Sequence, residues 1–125
     1  TSRGLGDVYK RQVMSVIGDF KGKSAILVDD MVDTAGTITN AANYLIENGA
    51  KDVYIAATHG VLSGPAVDRL ENSKVKEIVI TNTIELPEDK KIDKITQLEI
   101  GPLLAEAIHR INTYESISGL FEDVN

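Results

Sequence analysis

The sequence has 125 residues, a formal net charge of −6, 42% apolar residues and 26% charged residues. This length allows one globular domain or a piece of a larger one, and the acidic balance disfavours binding to nucleic acid. The absence of cysteine excludes disulfides and thiolate chemistry, and no apolar run is long enough to cross a membrane, so we expect a cytoplasmic protein.

Residues 1–12, TSRGLGDVYKRQ, have neither helical nor strand periodicity and share no pattern with the rest of the chain. We therefore predict a non-native or disordered leader over residues 1–12. The domain proper is expected to occupy residues 13–125.

The first predicted elements follow this leader. Residues 13–18 are typical of the end of a helix that closes near Gly18, and SAILVDD, residues 24–30, predicts a buried strand. Residues 34–50 place apolar side chains at helical spacing, and Gly49 supplies a C-terminal stop.

The second half of the chain repeats this alternation of strand and helix. The predicted elements are a strand over 51–60, a helix over 63–73, a strand over 75–83, a strand over 94–100 and a helix over 101–116. Pro65 and Pro102 stand near the starts of the two helices, where proline is favoured. Alternating strands and helices predict an α/β fold with an open, mainly parallel sheet and helices on both faces.

Two adjacent carboxylates, Asp29 and Asp30, follow the apolar run of the first strand. Ligands of open α/β sheets bind beyond the carboxyl ends of the strands, and buried unpaired carboxylates are costly. We therefore expect both acids at the exposed end of the strand, accepting hydrogen bonds from hydroxyl groups or helping to hold Mg²⁺.

The segment DTAGT, Asp33 to Thr37, opens the first full helix. Gly36 permits unusual backbone conformations, and the free N–H groups of a first helical turn favour an anion. The hydroxyls of Thr34, Thr37 and Thr39 add donors, whereas Asp33 is read as a helix N-cap, a base or an acceptor for magnesium-bound water. Acids followed by an anion site predict binding of a sugar phosphate, although Asp and Thr are also ordinary capping residues.

The segment AILVDDMVDTAGT resembles the phosphoribosyl-diphosphate (PRPP) motif of type I phosphoribosyltransferases, and most closely that of the ribose-phosphate pyrophosphokinase (PRPP synthetase) family. The similarity continues through ATHGVLSGPAVDRL, VITNTI and YESISGLF, and covers about residues 13–125. It implies a phosphoribosyltransferase-like fold that is incomplete at the N-terminus.

The resemblance also implies an activity and a set of site residues. The family transfers diphosphate from ATP to ribose 5-phosphate with Mg²⁺, giving PRPP and AMP for nucleotide biosynthesis. Asp29 and Asp30 would hold the ribose hydroxyls. The residues expected around the 5-phosphate are Asp33, Thr34, Ala35, Gly36 and Thr37.

The family's ATP-binding half and its catalytic Lys/Arg loop lie upstream of the similarity, so the catalytic residues are unknown and the fragment alone is expected to be inactive. Lys10 and Arg11 lie too close to Val13 to match that loop. The alternatives are a nucleobase phosphoribosyltransferase, a non-catalytic regulatory synthetase homologue and, from another class, a receiver-type signalling domain.

Ser116, Ser118 and Phe121 match positions where the family builds a regulatory site between subunits, and the resemblance implies a homo-oligomer. The two serines, followed by Leu120 and Phe121, indicate a docked tail, which either forms such a site or only covers the core. His59 ends the second strand and is expected either to make a hydrogen bond within its own turn or to face a ligand. His109 is expected to be a partly exposed helix residue. Two histidines so far apart give no metal-ligand spacing, so no direct metal ligand is predicted.

Overall fold

The computed structural model describes residues 19–122, and the predicted leader and the predicted helix end near Gly18 lie outside this range. The four strands are β1 (Ser24–Val32), β2 (Asp52–Gly60), β3 (Glu77–Thr81) and β4 (Ile95–Leu98). The three α-helices are α1 (Gly36–Glu47), α2 (Ala66–Asn72) and α3 (Gly101–Asn112). Single 3₁₀ turns cover Glu88–Lys90 and Ser118–Phe121.

The strands form one parallel sheet in the order β1-β2-β3-β4. The register aligns Leu27 with Ile55, Ile55 with Ile78, and Ile78 with Ile95, so that a row of apolar side chains crosses all four strands. β1 and β2 are joined through α1, and β2 and β3 through α2, as parallel neighbours require. The predicted α/β class and parallel sheet are confirmed.

The hydrophobic core lies between one face of this sheet and the helices α1 and α2. Leu45 of α1 and Leu70 of α2 are fully buried with Val53, Ile55 and Ile78 of the strands. Burial of aliphatic side chains of this size is the main favourable contribution to folding.

The end of α1 forms a Schellman motif, as the stop at Gly49 predicts. Gly49 has a φ of 109°, its N–H donates to the Ile46 carbonyl at 3.2 Å, and the Ala50 N–H donates to the Leu45 carbonyl at 2.9 Å. These two hydrogen bonds satisfy carbonyl groups that the last helical turn leaves without a partner.

The opposite face of the sheet is open in residues 19–122. Ile26 is 65% exposed, Val28 79% and Leu98 53%, and α3 buries none of its residues. The predicted helices on both faces are therefore not seen in this part of the chain: the two helices that pack on the core share one face. The strands nevertheless have the apolar composition typical of strands that are covered on both sides.

Candidate functional site

The acid pair lies within β1 and not at its end, which corrects the predicted strand boundary. The pairing with β2 continues beyond the acids, with Met31 opposite His59 and Val32 opposite Gly60. Asp29 and Asp30 are both exposed, and Asp29 Oδ1 accepts a hydrogen bond of 2.8 Å from the Asp30 N–H. The two carboxylates are thus accessible, as expected, but on a strand that extends further than its sequence indicates.

The turn between β1 and α1 leaves the start of the helix without a side-chain cap. The N-cap residue is Ala35, with a left-handed φ of 61°, and within residues 19–122 no side chain caps the free N–H groups of the first turn. The reading of Asp33 as the N-cap is therefore wrong. An uncapped helix start presents N–H groups and the positive end of the helix dipole, which together favour an anion.

The loop after β2 and the helix α2 together hold this turn in place. The Asp33 carboxylate accepts a hydrogen bond from Ser63 Oγ, and the Asp33 carbonyl accepts one of 3.0 Å from the Ser63 N–H. Arg69 Nη1 donates to the Thr34 carbonyl at 3.0 Å. No local pattern in the sequence indicates either partner, because they lie 30 and 35 residues from their acceptors.

The three threonines of this region differ in their environments. Thr34 and Thr37 are exposed, whereas Thr39 is buried and its hydroxyl donates to the Ala35 carbonyl at 2.5 Å. Because this hydroxyl is used inside the helix, the prediction that Thr39 donates to a ligand is wrong.

A cavity of about 170 Å³ lies at the turn. Its lining includes every predicted substrate-binding residue except Asp30, namely Asp29, Asp33, Thr34, Ala35, Gly36 and Thr37. A larger cavity of about 320 Å³ between α1 and α2 shares only Gly36 with this set and has no acidic residue in its lining. Asp29, Asp33 and the uncapped helix start therefore meet in the smaller cavity. Its volume is below the roughly 300–1,000 Å³ of drug-sized sites.

The histidines supply no metal site. His59 Nδ1 lies 2.7 Å from Thr83 Oγ1 in the loop after β3, so the predicted hydrogen bond within its own turn is wrong. His109 is exposed on α3, as expected. In residues 19–122, no group of three or more His, Cys, Asp or Glu side chains is arranged to hold a metal ion.

The tail after α3 is ordered by its own hydrogen bonds. The hydroxyls of Ser116 and Ser118 lie within hydrogen-bond distance of each other, and Arg110 Nη1 donates to the Ser116 carbonyl at 3.3 Å. Phe121 is exposed. The regulatory role of these residues stays a prediction.

Among the described helices, none is both long and apolar enough to span a membrane.

This architecture places the chain among the parallel α/β proteins. The amino-acid sequence of the chain matches the family of the phosphoribosyl synthetase-associated domain over residues 7–122. The chain therefore belongs to this family, which confirms the predicted resemblance and removes the support for the receiver-domain alternative. The match begins inside residues 1–12, and the leader boundary stays a prediction.

Curated relatives carry the same family relationship. The chain is 61% identical over 110 residues to ribose-phosphate pyrophosphokinase of Bacillus subtilis and 59% identical over 111 residues to that of Halalkalibacterium halodurans. These alignments cover 88% and 89% of this chain but 35% of each relative, so the chain spans about a third of their length.

A solved structure supports the fold. The phosphoribosylpyrophosphate synthetase of Mycobacterium smegmatis aligns with a TM-score of 0.75 and 53% sequence identity. The alignment covers 78% of this chain and 33% of that protein.

Proposed function

We propose that this chain is the ribose 5-phosphate- and PRPP-binding part of a ribose-phosphate diphosphokinase. The observation that carries the proposal is the cavity in which Asp29 and the uncapped start of α1 lie together. Carboxylates accept hydrogen bonds from sugar hydroxyls, and the helix start attracts a phosphate. The names of the relatives support this choice of sugar phosphate.

The residue roles follow from this arrangement. Asp29 and Asp30 bind the ribose hydroxyls, and the backbone and hydroxyls of residues 33–37 bind the 5-phosphate. The cavity does not include Asp30, so we propose that Asp30 binds at its margin.

The intact protein transfers diphosphate from ATP to the anomeric hydroxyl of ribose 5-phosphate, giving PRPP and AMP. Phosphoryl-type transfer depends mainly on positioning and charge neutralisation. This chain binds and positions the acceptor sugar. On its own it is proposed to be inactive. A cytoplasmic location and a homo-oligomeric assembly remain part of the proposal.

Mg²⁺ is the proposed metal, and the exposed carboxylates of Asp29 and Asp30 are oxygen ligands of the kind it accepts. Because residues 19–122 hold no cluster of three metal-ligating side chains, we propose that the ion lies near these two acids and is held mainly by water and substrate phosphates. When bound, Mg²⁺ neutralises phosphate charge.

Ribose 5-phosphate binding tests the proposed site directly. Titration into the 125-residue chain, followed by calorimetry, should give saturable binding that Asp29→Ala weakens about tenfold or more, the loss expected for hydrogen bonds to a charged group. Asp89→Ala removes an exposed carboxylate from the 3₁₀ turn Glu88–Lys90 and should leave the affinity unchanged. Equal affinities for the unmodified chain and Asp29→Ala would argue against the site.

The activity requires the longer protein that contains this sequence. With ATP and ribose 5-phosphate, it should release AMP in a coupled assay without any added base. Product formation only after a free nucleobase and PRPP are supplied would indicate a phosphoribosyltransferase. Binding of ribose 5-phosphate without AMP release would indicate the non-catalytic regulatory homologue.

A further inference from the structure

We infer that Ser63 and Arg69 are positioning residues that fix the turn before α1 in its anion-binding conformation. The inference rests on the proposed function for the identity of the ligand. Neither residue lines the cavity of about 170 Å³, so both act through the residues that do.

Three successive carbonyl groups of the turn accept hydrogen bonds from one neighbouring segment. The Val32 carbonyl accepts from the N–H groups of Val61 and Leu62 at 3.0 and 3.1 Å. The Asp33 carbonyl accepts from the Ser63 N–H, and the Thr34 carbonyl from the Arg69 guanidinium. The segment 61–69 therefore holds the carbonyl side of the turn at every peptide from 32 to 34.

This arrangement determines where the N–H groups of the turn point. A trans peptide is planar, with its N–H directed opposite to its carbonyl, and the described residues contain no cis peptide. Because the carbonyls of Val32, Asp33 and Thr34 face the segment 61–69, the N–H groups that follow them, up to Ala35, face away from it. These donors are thus oriented before any ligand arrives.

The same contacts compensate for two unfavourable features of the turn. Ala35 has a left-handed backbone, which is unfavourable for a non-glycine residue and needs support from its surroundings. The Asp33 carboxylate would repel a phosphate, and its hydrogen bond from Ser63 Oγ holds it in a fixed position. Ser63 and Arg69 therefore stabilise a conformation that the turn would otherwise populate less.

Backbone dynamics test this inference without any ligand. In the unmodified 125-residue chain, the amide order parameters of residues 34–36 should be near 0.85, typical of a rigid backbone, and Arg69→Ala should lower them below about 0.6. Arg69→Lys keeps a charged donor and should restore part of the order. Lys74→Ala removes a positive charge that pairs with Glu47 and should change nothing in the turn.

Titrations with inorganic phosphate and with ribose 5-phosphate provide the second readout. Arg69→Ala and Ser63→Ala should each weaken both ligands about tenfold, because an ordered anion site is lost in both cases. Lys74→Ala should bind as the unmodified chain does, and the urea unfolding midpoint of each variant separates loss of the site from loss of the fold. Partial recovery of affinity in Arg69→Lys is expected.

The outcomes distinguish this inference from the proposed function. Ordered amides and unchanged affinity in both Arg69→Ala and Ser63→Ala would overturn the positioning role, even if the unmodified chain binds ribose 5-phosphate. Loss of order in the variants, with no binding of either ligand to the unmodified chain, would support the positioning role and overturn the proposed function.

Discussion

Replacing Gly36 with valine is expected to weaken ribose 5-phosphate binding about tenfold or more. A Cβ atom at Gly36 would lie 3.0 Å from Arg69 Nη1, closer than most Cβ contacts, and the branched side chain of valine adds further bulk. The guanidinium would have to shift, which would weaken its hydrogen bond to the Thr34 carbonyl and loosen the orientation of the turn's N–H groups. Loss of one charge-assisted hydrogen bond, at about 1.5 kcal/mol or more, gives this factor.

Calorimetric titration of the 125-residue chain with ribose 5-phosphate measures the effect. Gly101→Val is a matched control, because Gly101 also opens an α-helix but a Cβ atom there would have no neighbour within 4 Å. The control should bind ribose 5-phosphate as the unmodified chain does. Full affinity in a folded Gly36→Val variant would show that the turn does not bind the phosphate.

The sequence predicts the elements well because their signals are local. Apolar side chains at helical spacing in residues 34–50 match α1, and the stop at Gly49 matches its Schellman motif. The extent of β1 was less predictable, since Asp29 and Asp30 are poor strand formers and only the pairing with β2 shows that the strand continues. The ends of elements depend on neighbours that a local pattern does not contain.

The site shows the same division between local and distant interactions. The order of acids, turn and helix predicts every residue that lines the cavity from Asp33 to Thr37. The hydrogen bonds of Ser63, Arg69 and His59 join residues 24–35 positions apart, so no spacing in the sequence indicates them. The parallel topology does place the loops after β1 and β2 at the same edge of the sheet, which is the one signal that suggests Ser63.

The uncovered sheet face shows where composition and structure disagree. Val28 lies opposite Ala56, and Ala56 opposite Val79, so an apolar row continues across three strands of the open face. The relatives are about two and a half times as long as this chain, and strands with this composition are normally covered on both sides. The predicted second layer of helices is thus supported by composition, although residues 19–122 do not supply it.

The backbone at Leu62, next to Ser63, gives the last prediction. Leu62 is fully buried with a left-handed φ of 51°, a conformation that is rare for a bulky residue. Leu62→Ala should lower the free energy of unfolding by about 2–5 kcal/mol, because it removes a core side chain and leaves a cavity. The hydrogen bond from the N–H group of residue 62 to the Val32 carbonyl would remain in this variant. The loss of unfolding free energy therefore measures the packing of the Leu62 side chain.

Leu62→Gly separates this packing from backbone strain. Both variants lose the side chain, but glycine adopts a left-handed backbone without the roughly 1–2 kcal/mol that alanine pays, so Leu62→Gly should be at least as stable as Leu62→Ala. Leu70, equally buried in α2, gives the matched comparison: there glycine should be about 1 kcal/mol less stable than alanine. Urea unfolding of the four variants measures both differences. If the alanine variant were more stable than the glycine variant by the same amount at positions 62 and 70, the backbone at Leu62 would not be left-handed. The segment that holds the turn would then have another conformation.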